Sequence, residues 1–119
     1  MGSLAQRKGK MPTGTLDIYR ISIYNQYMIR RFRDAETGKI FQQQFSKKFQ
    51  AVEKIALRKL IHLNRAIALR DLAAIPGNQF EALKGDRKGQ YSIRINDQYR
   101  ICFHWNNGDA FDVEITDYH

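Results

Sequence analysis

The sequence is poor in cysteine, proline and long apolar runs. Cys102 is its only cysteine, which excludes an intramolecular disulfide and a cysteine-based zinc cluster and fits a reducing compartment. Apolar runs extend over only a few residues, whereas a membrane-spanning helix needs about 20. The N-terminal part also shows no apolar core or cleavage pattern of a secretory signal. We therefore expect a soluble, cytoplasmic protein with no membrane partner.

Positive charge is what the sequence has in excess. The chain of 119 residues carries a formal net charge of +8 and has a sequence pI of about 9.8. A chain of this length forms one small domain, which buries roughly 60–70% of its unfolded surface. Excess basic charge favours nucleic acid as a partner, although an acidic protein or an anionic membrane would fit the same charge. Charge alone does not choose among them.

The first 27 residues differ from the remainder. Residues 1–15 are rich in Gly, Ser, Lys and Arg and show little apolar periodicity. We interpret residues 1–27 as an N-terminal extension, either disordered or upstream of the natural start at Met28. A tail that touches RNA or a partner is the alternative. Residues 28–119 are predicted to form the domain.

The first half of the domain reads as mainly helical. Residues 28–33 can form an edge strand, and Asp34 is a suitable N-cap for a short helix that runs to about Gln43. A clearer amphipathic helix is predicted from about Phe49 to Ala66, with a further turn at residues 70–72. Its predicted core-facing residues recur at helical spacing: Val52, Ile55, Ala56, Leu60, Leu63 and Ile67. The charged residues of the helix, Lys59 among them, are expected on the outer surface.

The second half reads as strands. Residues 79–83, 90–96, 99–105 and 110–119 have β character, and the Asn107-Gly108 pair is typical of a hairpin turn. Alternation places Phe111, Val113 and Ile115 on the core side of the last strand. The predicted fold is a small α+β single domain, an antiparallel sheet with two N-terminal helices packed on one face.

Two segments carry candidate chemistry. One is the basic turn at residues 84–89, and the other is the terminal pair Tyr118-His119. Arg100 follows a turn, at the strand end that we expect to lie nearest the basic turn, where its guanidinium fork suits a phosphate. The opposing sheet-face residues Arg94, His104, Asp112 and Glu114 are interpreted as a solvated surface with cross-strand ion pairs.

RNA cleavage without a metal needs one group to take the 2′-hydroxyl proton, another to protonate the leaving 5′-oxygen, and cations on the phosphate. Lys84, Arg87 and Arg100 are candidate cations, and His119, Tyr118 and Lys84 are candidates for proton transfer. From spacing alone, a terminal histidine is more often a frayed end than a catalyst.

A family resemblance links these segments. The run LKGDRKGQYSIRINDQYRI at residues 83–101, NGDAF at residues 107–111 and DYH at residues 117–119 closely resemble the HigB-type toxins of the RelE/ParE superfamily. The resemblance covers residues 28–119. It implies a RelE-like α+β fold and the toxin of a type II toxin–antitoxin system, an endoribonuclease that cleaves messenger RNA on the ribosome without a metal or other cofactor.

The resemblance also assigns roles to matching residues. It implies catalytic functions for Lys84, Arg100, Tyr118 and His119, with Arg100 facing the phosphate. Arg87 is expected to contact RNA, and Asp117 to orient His119 or contact a base. The position before Arg100 is often Trp in the family and is Tyr99 here, which keeps an aromatic packing or stacking role. The implied partners are the ribosome with its mRNA and a HigA-like helix-turn-helix antitoxin.

Two alternatives remain open from the sequence. A gyrase-directed ParE-like toxin would keep the fold, but it would not need Lys84, Tyr118 and His119 together. A non-catalytic RNA- or protein-binding module would explain the charge, but it leaves residues 117–119 without a role.

Overall fold

The structure is a computed structural model that describes residues 28–117. The predictions for residues 1–27 and for Tyr118 and His119 fall outside this part of the chain. Three helices precede four strands, in the order α1 (Ala35–Phe41), α2 (Glu53–Arg65), α3 (Leu69–Ala73), β1 (Glu81–Ala82), β2 (Gln90–Arg94), β3 (Tyr99–Asn106) and β4 (Asp109–Asp117). Single 3-10 turns cover Gln50–Val52 and Gly85–Arg87.

The sheet has the strand order β1-β2-β3-β4, and each neighbouring pair is antiparallel. Residues of α1, α2 and α3 share one buried apolar cluster with one face of the sheet, here called the helix face, which carries Ile93, Ile101, Phe103, Val113 and Ile115. These observations confirm the predicted α+β class, with the predicted further turn present as α3. Among residues 28–117, no helix is long and apolar enough to cross a membrane.

Helix α1 is fixed to the sheet through its first turn. Asp34 is the N-cap, as predicted, because its Oδ2 accepts from the Thr37 backbone N–H at 3.0 Å. The fully buried Thr37 hydroxyl donates to Asp34 Oδ1 at 2.7 Å and accepts from the Ile115 N–H at 3.0 Å. One side chain therefore joins the start of α1 to β4.

Helix α2 buries most of its predicted apolar stripe, but two expectations about it are wrong. Ile67 was expected in the core and is 75% exposed, because α2 ends at Arg65 and Ala66 is extended. Lys59 was expected on the outer surface and is only 6% exposed. Its Nζ donates to the side-chain oxygen of Asn78 beneath the helix.

Residues 28–33 do not form the continuous edge strand that was expected. They make two isolated parallel bridges to β4, Ile29 with Ala110 and Phe32 with Val113. Between the two bridged residues of β4, Asp112 has a φ of 51°, which interrupts regular pairing.

Strand β4 contains a bulge that changes which side chains face the helices. Asp112 has a φ of 51°, and the pairing shifts between Cys102 opposite Glu114 and His104 opposite Phe111. Ala110 consequently lies in the core, while Phe111 shares the opposite face with His104. The prediction that Phe111 lies on the core side is therefore wrong.

Candidate active site

The second face of the sheet, here called the polar face, carries the candidate chemistry. Its residues alternate with the core residues and are Glu81, Gln90, Ser92, Arg94, Arg100, Cys102, His104, Phe111, Glu114 and Thr116. Ser92, Arg100 and Cys102 among them are buried. Buried polar side chains need hydrogen-bond partners, so their orientation is set by the fold.

Arg100 is the most firmly held cation of this face. Its side chain is only 8% exposed. Nε donates to Ser92 Oγ at 2.8 Å, and Nη2 donates to the carbonyl of Gln79 and, at 3.5 Å, to that of Ser92. A buried guanidinium bound by neutral oxygens has a fixed direction, which suits an anionic ligand.

The loop between β1 and β2 presents Lys84 and Arg87 differently. Leu83 N–H donates to the Gln90 carbonyl at 2.8 Å and closes the loop. Lys84 lies at the exposed start of the 3-10 turn. Arg87 folds back over the polar face, where Nη1 contacts both Gln90 Oε1 and Glu114 Oε2 at 3.0 Å. Arg87 is thus directed along the sheet, whereas Lys84 faces solvent.

The expected position of Arg100 relative to this loop is wrong. Gln90 pairs with His104 and Arg94 pairs with Arg100, so the loop leaves β2 at the end opposite to Arg100. The side chains of Arg87 and Arg100 instead contact Glu114 and Ser92, which both pair with Cys102 in the middle of the sheet.

Glu81 belongs to this site and was missed in the sequence. Its carboxylate Oε1 lies 3.9 Å from Arg100 Nη2, and its side chain is half exposed. Strand β1 has only two residues, too few to show an alternating pattern. Pairing of Glu81 with Ser92 places the carboxylate on the polar face, and only the fold reveals this.

Glu114 was assigned to a solvated surface with cross-strand ion pairs. It is in fact a shared acceptor that joins separate parts of the chain. Glu114 Oε2 forms an ion pair with Arg87 and also lies 3.7 Å from Arg33 Nε. Asp112 similarly pairs with Arg31 at 2.7 Å, and this contact lowers the pKa of Asp112 through a hydrogen bond and charge attraction. The ion pairs on this face connect the segment before α1 with β4.

The chain end approaches the site from β4. Thr116 lies opposite Arg100, and Asp117 lies opposite Tyr99. Asp117 is exposed and accepts from Gln98 Nε2 at 3.1 Å. Tyr99 packs edge-to-face on Phe49, with ring centroids 5.7 Å apart, which gives it a packing role. Tyr118 and His119 follow Asp117 directly, outside the described residues.

Cys102 is a structural residue of the polar face. It is fully buried, and burial raises the pKa of its thiol. A neutral thiol is a poor nucleophile. Within residues 28–117, no group of three or more His, Cys, Asp or Glu side chains is placed to hold a metal ion.

Comparison with known proteins gives a family match over most of the chain. The model of the HigB-like toxin family, described as the RelE-like toxin of the type II toxin–antitoxin system HigB, matches residues 22–119. Toxin HigB-1 of Vibrio cholerae is 47% identical over 65 residues, which cover 55% of this chain and 68% of that protein. Endoribonuclease HigB of Proteus vulgaris is 49% identical over 37 residues, which cover 31% of this chain and only 40% of that protein.

A solved structure supports the fold independently. The toxin–antitoxin complex YoeB–YefM of Staphylococcus aureus, a heterotetramer, contains a chain that aligns with a TM-score of 0.51 and 21% identity. The alignment covers 76% of this chain and 97% of that chain. At this identity the likeness concerns the fold alone.

Proposed function

Because the chain belongs to the HigB-like family, the RelE-like toxins of type II toxin–antitoxin systems, we propose that it is an endoribonuclease that cleaves messenger RNA on the ribosome. The observation that carries this proposal is the buried, oriented guanidinium of Arg100 on the polar face. Arg87 and Glu81 lie on the same face of the sheet, and Lys84 lies in the loop that leads into β2. These groups supply the charges that phosphodiester cleavage requires.

The proposed reaction is attack of an RNA 2′-oxygen on the adjacent phosphorus. The 2′-hydroxyl loses its proton to a general base while the bond from O2′ to phosphorus forms. The bond from phosphorus to O5′ breaks, and a general acid protonates the departing oxygen. The products are a 2′,3′-cyclic phosphate and a free 5′-hydroxyl, so no metal-bound nucleophile is needed.

The roles of individual residues follow the family resemblance and general chemistry. Arg100 stabilises the negative charge that develops on the phosphate, because its direction is fixed before the RNA binds. His119 is the first choice for proton transfer. Lys84 assists from the exposed start of the loop.

Four further residues complete the proposed site. Tyr118 is a catalytic candidate beside His119, and Asp117 orients His119 or contacts a base. Arg87 contacts RNA, and Tyr99 has a packing role, edge-to-face on Phe49.

Glu81 adds a second candidate for proton transfer. Its carboxylate is half exposed beside Arg100, so RNA phosphate bound to Arg100 would bring the neighbouring 2′-hydroxyl close to it. A carboxylate in this position can accept the 2′-hydroxyl proton, and His119 can then protonate the leaving oxygen. This division assigns one group to each of the two proton transfers.

The proposed partners follow from the same family. A cognate HigA-like helix-turn-helix antitoxin is expected to bind the protein and to neutralise it in the cytoplasm. The net charge of +8 supports binding to the ribosome and mRNA, since displaced counterions favour association with a polyanion.

The experiment is to map RNA ends after brief induction in cells that lack the antitoxin. Wild-type protein is compared with His119→Ala. The matched control is His104→Ala, because His104 lies on the polar face, toward the end of β3 opposite to Arg100. We expect codon-associated cuts and growth arrest with wild type and with His104→Ala. His119→Ala should produce neither while still binding the antitoxin.

Other outcomes would contradict the proposal. DNA-damage signalling without RNA cuts would support a gyrase-directed toxin. Growth arrest with neither signal would support a non-catalytic binding module. Full toxicity of a folded His119→Ala variant would remove His119 from the mechanism.

A further inference from the structure

Lys59 is a buried lysine for which residues 28–117 provide no carboxylate partner. It lies on α2, in the helical layer, and only 6% of its surface is exposed. Its ammonium donates to Asn78 Oδ1. Lysine is almost never buried to this extent without a paired acid, because removing the charge from water is unfavourable. The cost of burial points to a role for this contact beyond filling space.

The contact partner, Asn78, is fixed on every side. Its side chain is fully buried, and Nδ2 donates to the Leu72 carbonyl at 3.0 Å. Its backbone N–H donates to the Ile75 carbonyl at 3.2 Å, and its carbonyl accepts from the Arg94 N–H at 2.6 Å. Asn78 therefore ties α2, the end of α3 and the end of β2 to one point.

The residue after Asn78 is held in an unfavourable conformation. Gln79 has a φ of 44°, in the left-handed region, which costs a residue other than glycine about 1 kcal/mol or more. Such a conformation persists only where its neighbours impose it. The result is that the Gln79 carbonyl points at Arg100 and accepts from its Nη2.

These contacts form a continuous connection from the helical layer to the polar face. Lys59 holds Asn78, Asn78 sets the direction of Gln79, and the Gln79 carbonyl fixes one nitrogen of the Arg100 guanidinium. Ser92 holds the other side of that guanidinium through Oγ at 2.8 Å. If the Gln79 carbonyl turned away, the guanidinium would lose one of the contacts that orient it.

We propose that Lys59 is a positioning residue for RNA cleavage, which acts through Asn78 and the Gln79 carbonyl to fix the Arg100 guanidinium. The proposal rests on the function proposed above, in which Arg100 stabilises the transition state. Lys59 does not touch RNA, since only 6% of its surface is exposed. Its effect should therefore appear in the rate of the chemical step and not in RNA affinity.

The test is Lys59→Met, which keeps a long apolar side chain and removes the donor. Single-turnover cleavage of mRNA on programmed ribosomes should slow by about tenfold or more, because small misplacements of a catalytic group cost up to about a hundredfold. Affinity for the programmed ribosome should stay unchanged. Lys54→Met is the matched control, since Lys54 is exposed on the same helix, and it should cleave at the wild-type rate.

A double-mutant comparison separates positioning from general destabilisation. In an Arg100→Lys background, Lys59→Met should cause little further loss of rate, because the group it positions is already gone. An equal loss in both backgrounds would overturn the proposal. A wild-type rate for Lys59→Met would overturn it as well. Normal cleavage by Arg100→Lys would refute the role of Arg100, whereas absence of cleavage by the wild-type protein would refute the proposed function; both outcomes are distinct from the others.

A second variant covers the case in which Lys59→Met does not fold. Gln79→Gly should fold at least as well as wild type, because glycine adopts a positive φ without strain. It frees the carbonyl to turn, so the proposal expects slower cleavage at unchanged ribosome affinity. Normal cleavage by Gln79→Gly would contradict the proposal.

Discussion

Replacing Arg100 by lysine tests whether the oriented guanidinium carries catalysis. Lysine keeps the charge but loses the planar fork, so it cannot reproduce the contacts to Ser92 Oγ and to the Gln79 carbonyl together. One preorganised donor to a developing oxyanion contributes about 10²–10³ in kcat, or roughly 2.7–4 kcal/mol. We therefore expect Arg100→Lys to slow single-turnover cleavage of ribosome-bound mRNA by about a hundredfold or more.

The loss of rate should exceed any loss of folded protein. The hydrogen bonds to Ser92 Oγ and to the Gln79 carbonyl contribute about 0.5–1.5 kcal/mol each, so losing both lowers the free energy of unfolding by roughly 1–3 kcal/mol. The free energy of unfolding of such a domain is about 5–15 kcal/mol, so the variant stays predominantly folded. Urea denaturation of the same preparation would verify this.

Arg94→Lys is the matched control, because Arg94 lies directly opposite Arg100 on the same face. Its partner Asp97 is fully solvated, with 99% of the side chain exposed, and such an ion pair contributes only about 0–1 kcal/mol. The control should cleave within about twofold of wild type. Equal rates for Arg100→Lys and Arg94→Lys would refute the role assigned to Arg100.

Three further predictions concern other parts of the molecule. Glu81→Gln should slow cleavage by about a hundredfold, as expected for loss of a general base. The control is Glu53→Gln, at an exposed position of α2, which should not slow cleavage. Equal rates for the two variants would exclude Glu81 as the general base. Thr37→Val should lower the free energy of unfolding by about 1–3 kcal/mol in urea, because the buried Ile115 N–H loses its acceptor, and an unchanged midpoint would contradict this. Burial lowers the pKa of Lys59, and the nearby charges of Arg58 and Arg94 lower it further. The unfolded chain therefore binds more protons at this residue than the folded protein does. The free energy of unfolding of wild type should rise with pH up to the ordinary lysine pKa of about 10.4. The free energy of unfolding of Lys59→Met, measured in urea at several pH values, should lack that part of the rise. Parallel pH profiles for wild type and Lys59→Met would contradict the lowered pKa of Lys59.

Much of the fold could be predicted because local patterns and tertiary packing agree. Asp34 caps α1 through a contact three residues away, and the Asn107-Gly108 turn follows from two positive φ angles. The core strands alternate as their apolar residues require. Such features depend on neighbours in the chain, so a single sequence contains the necessary information.

The errors arise where distant contacts decide. The bulge at Asp112 reverses the side of the sheet on which Phe111 lies. No residue type in this part of the sequence indicates the bulge. Lys59 is buried because Asn78 offers an acceptor 19 residues away. Tertiary contacts of this kind override helical periodicity.

The candidate site divides in the same way. The basic loop, Arg100 and the chain end could be identified from sequence motifs. Glu81 could not, because its place beside Arg100 depends on the pairing of a two-residue strand with Ser92. The direction of the Arg100 guanidinium likewise depends on the backbone of Gln79.

Cleavage by the RNA's own 2′-oxygen can be tested with a single substitution in the substrate. Ribosomes are programmed with an mRNA that is cut at one known position, and with the same mRNA carrying a 2′-deoxynucleotide immediately 5′ of that phosphate. We predict that the all-ribose mRNA yields a 2′,3′-cyclic phosphate and a 5′-hydroxyl, and that the deoxy-substituted mRNA is not cut at that position. Undiminished cleavage of the substituted mRNA would contradict the mechanism.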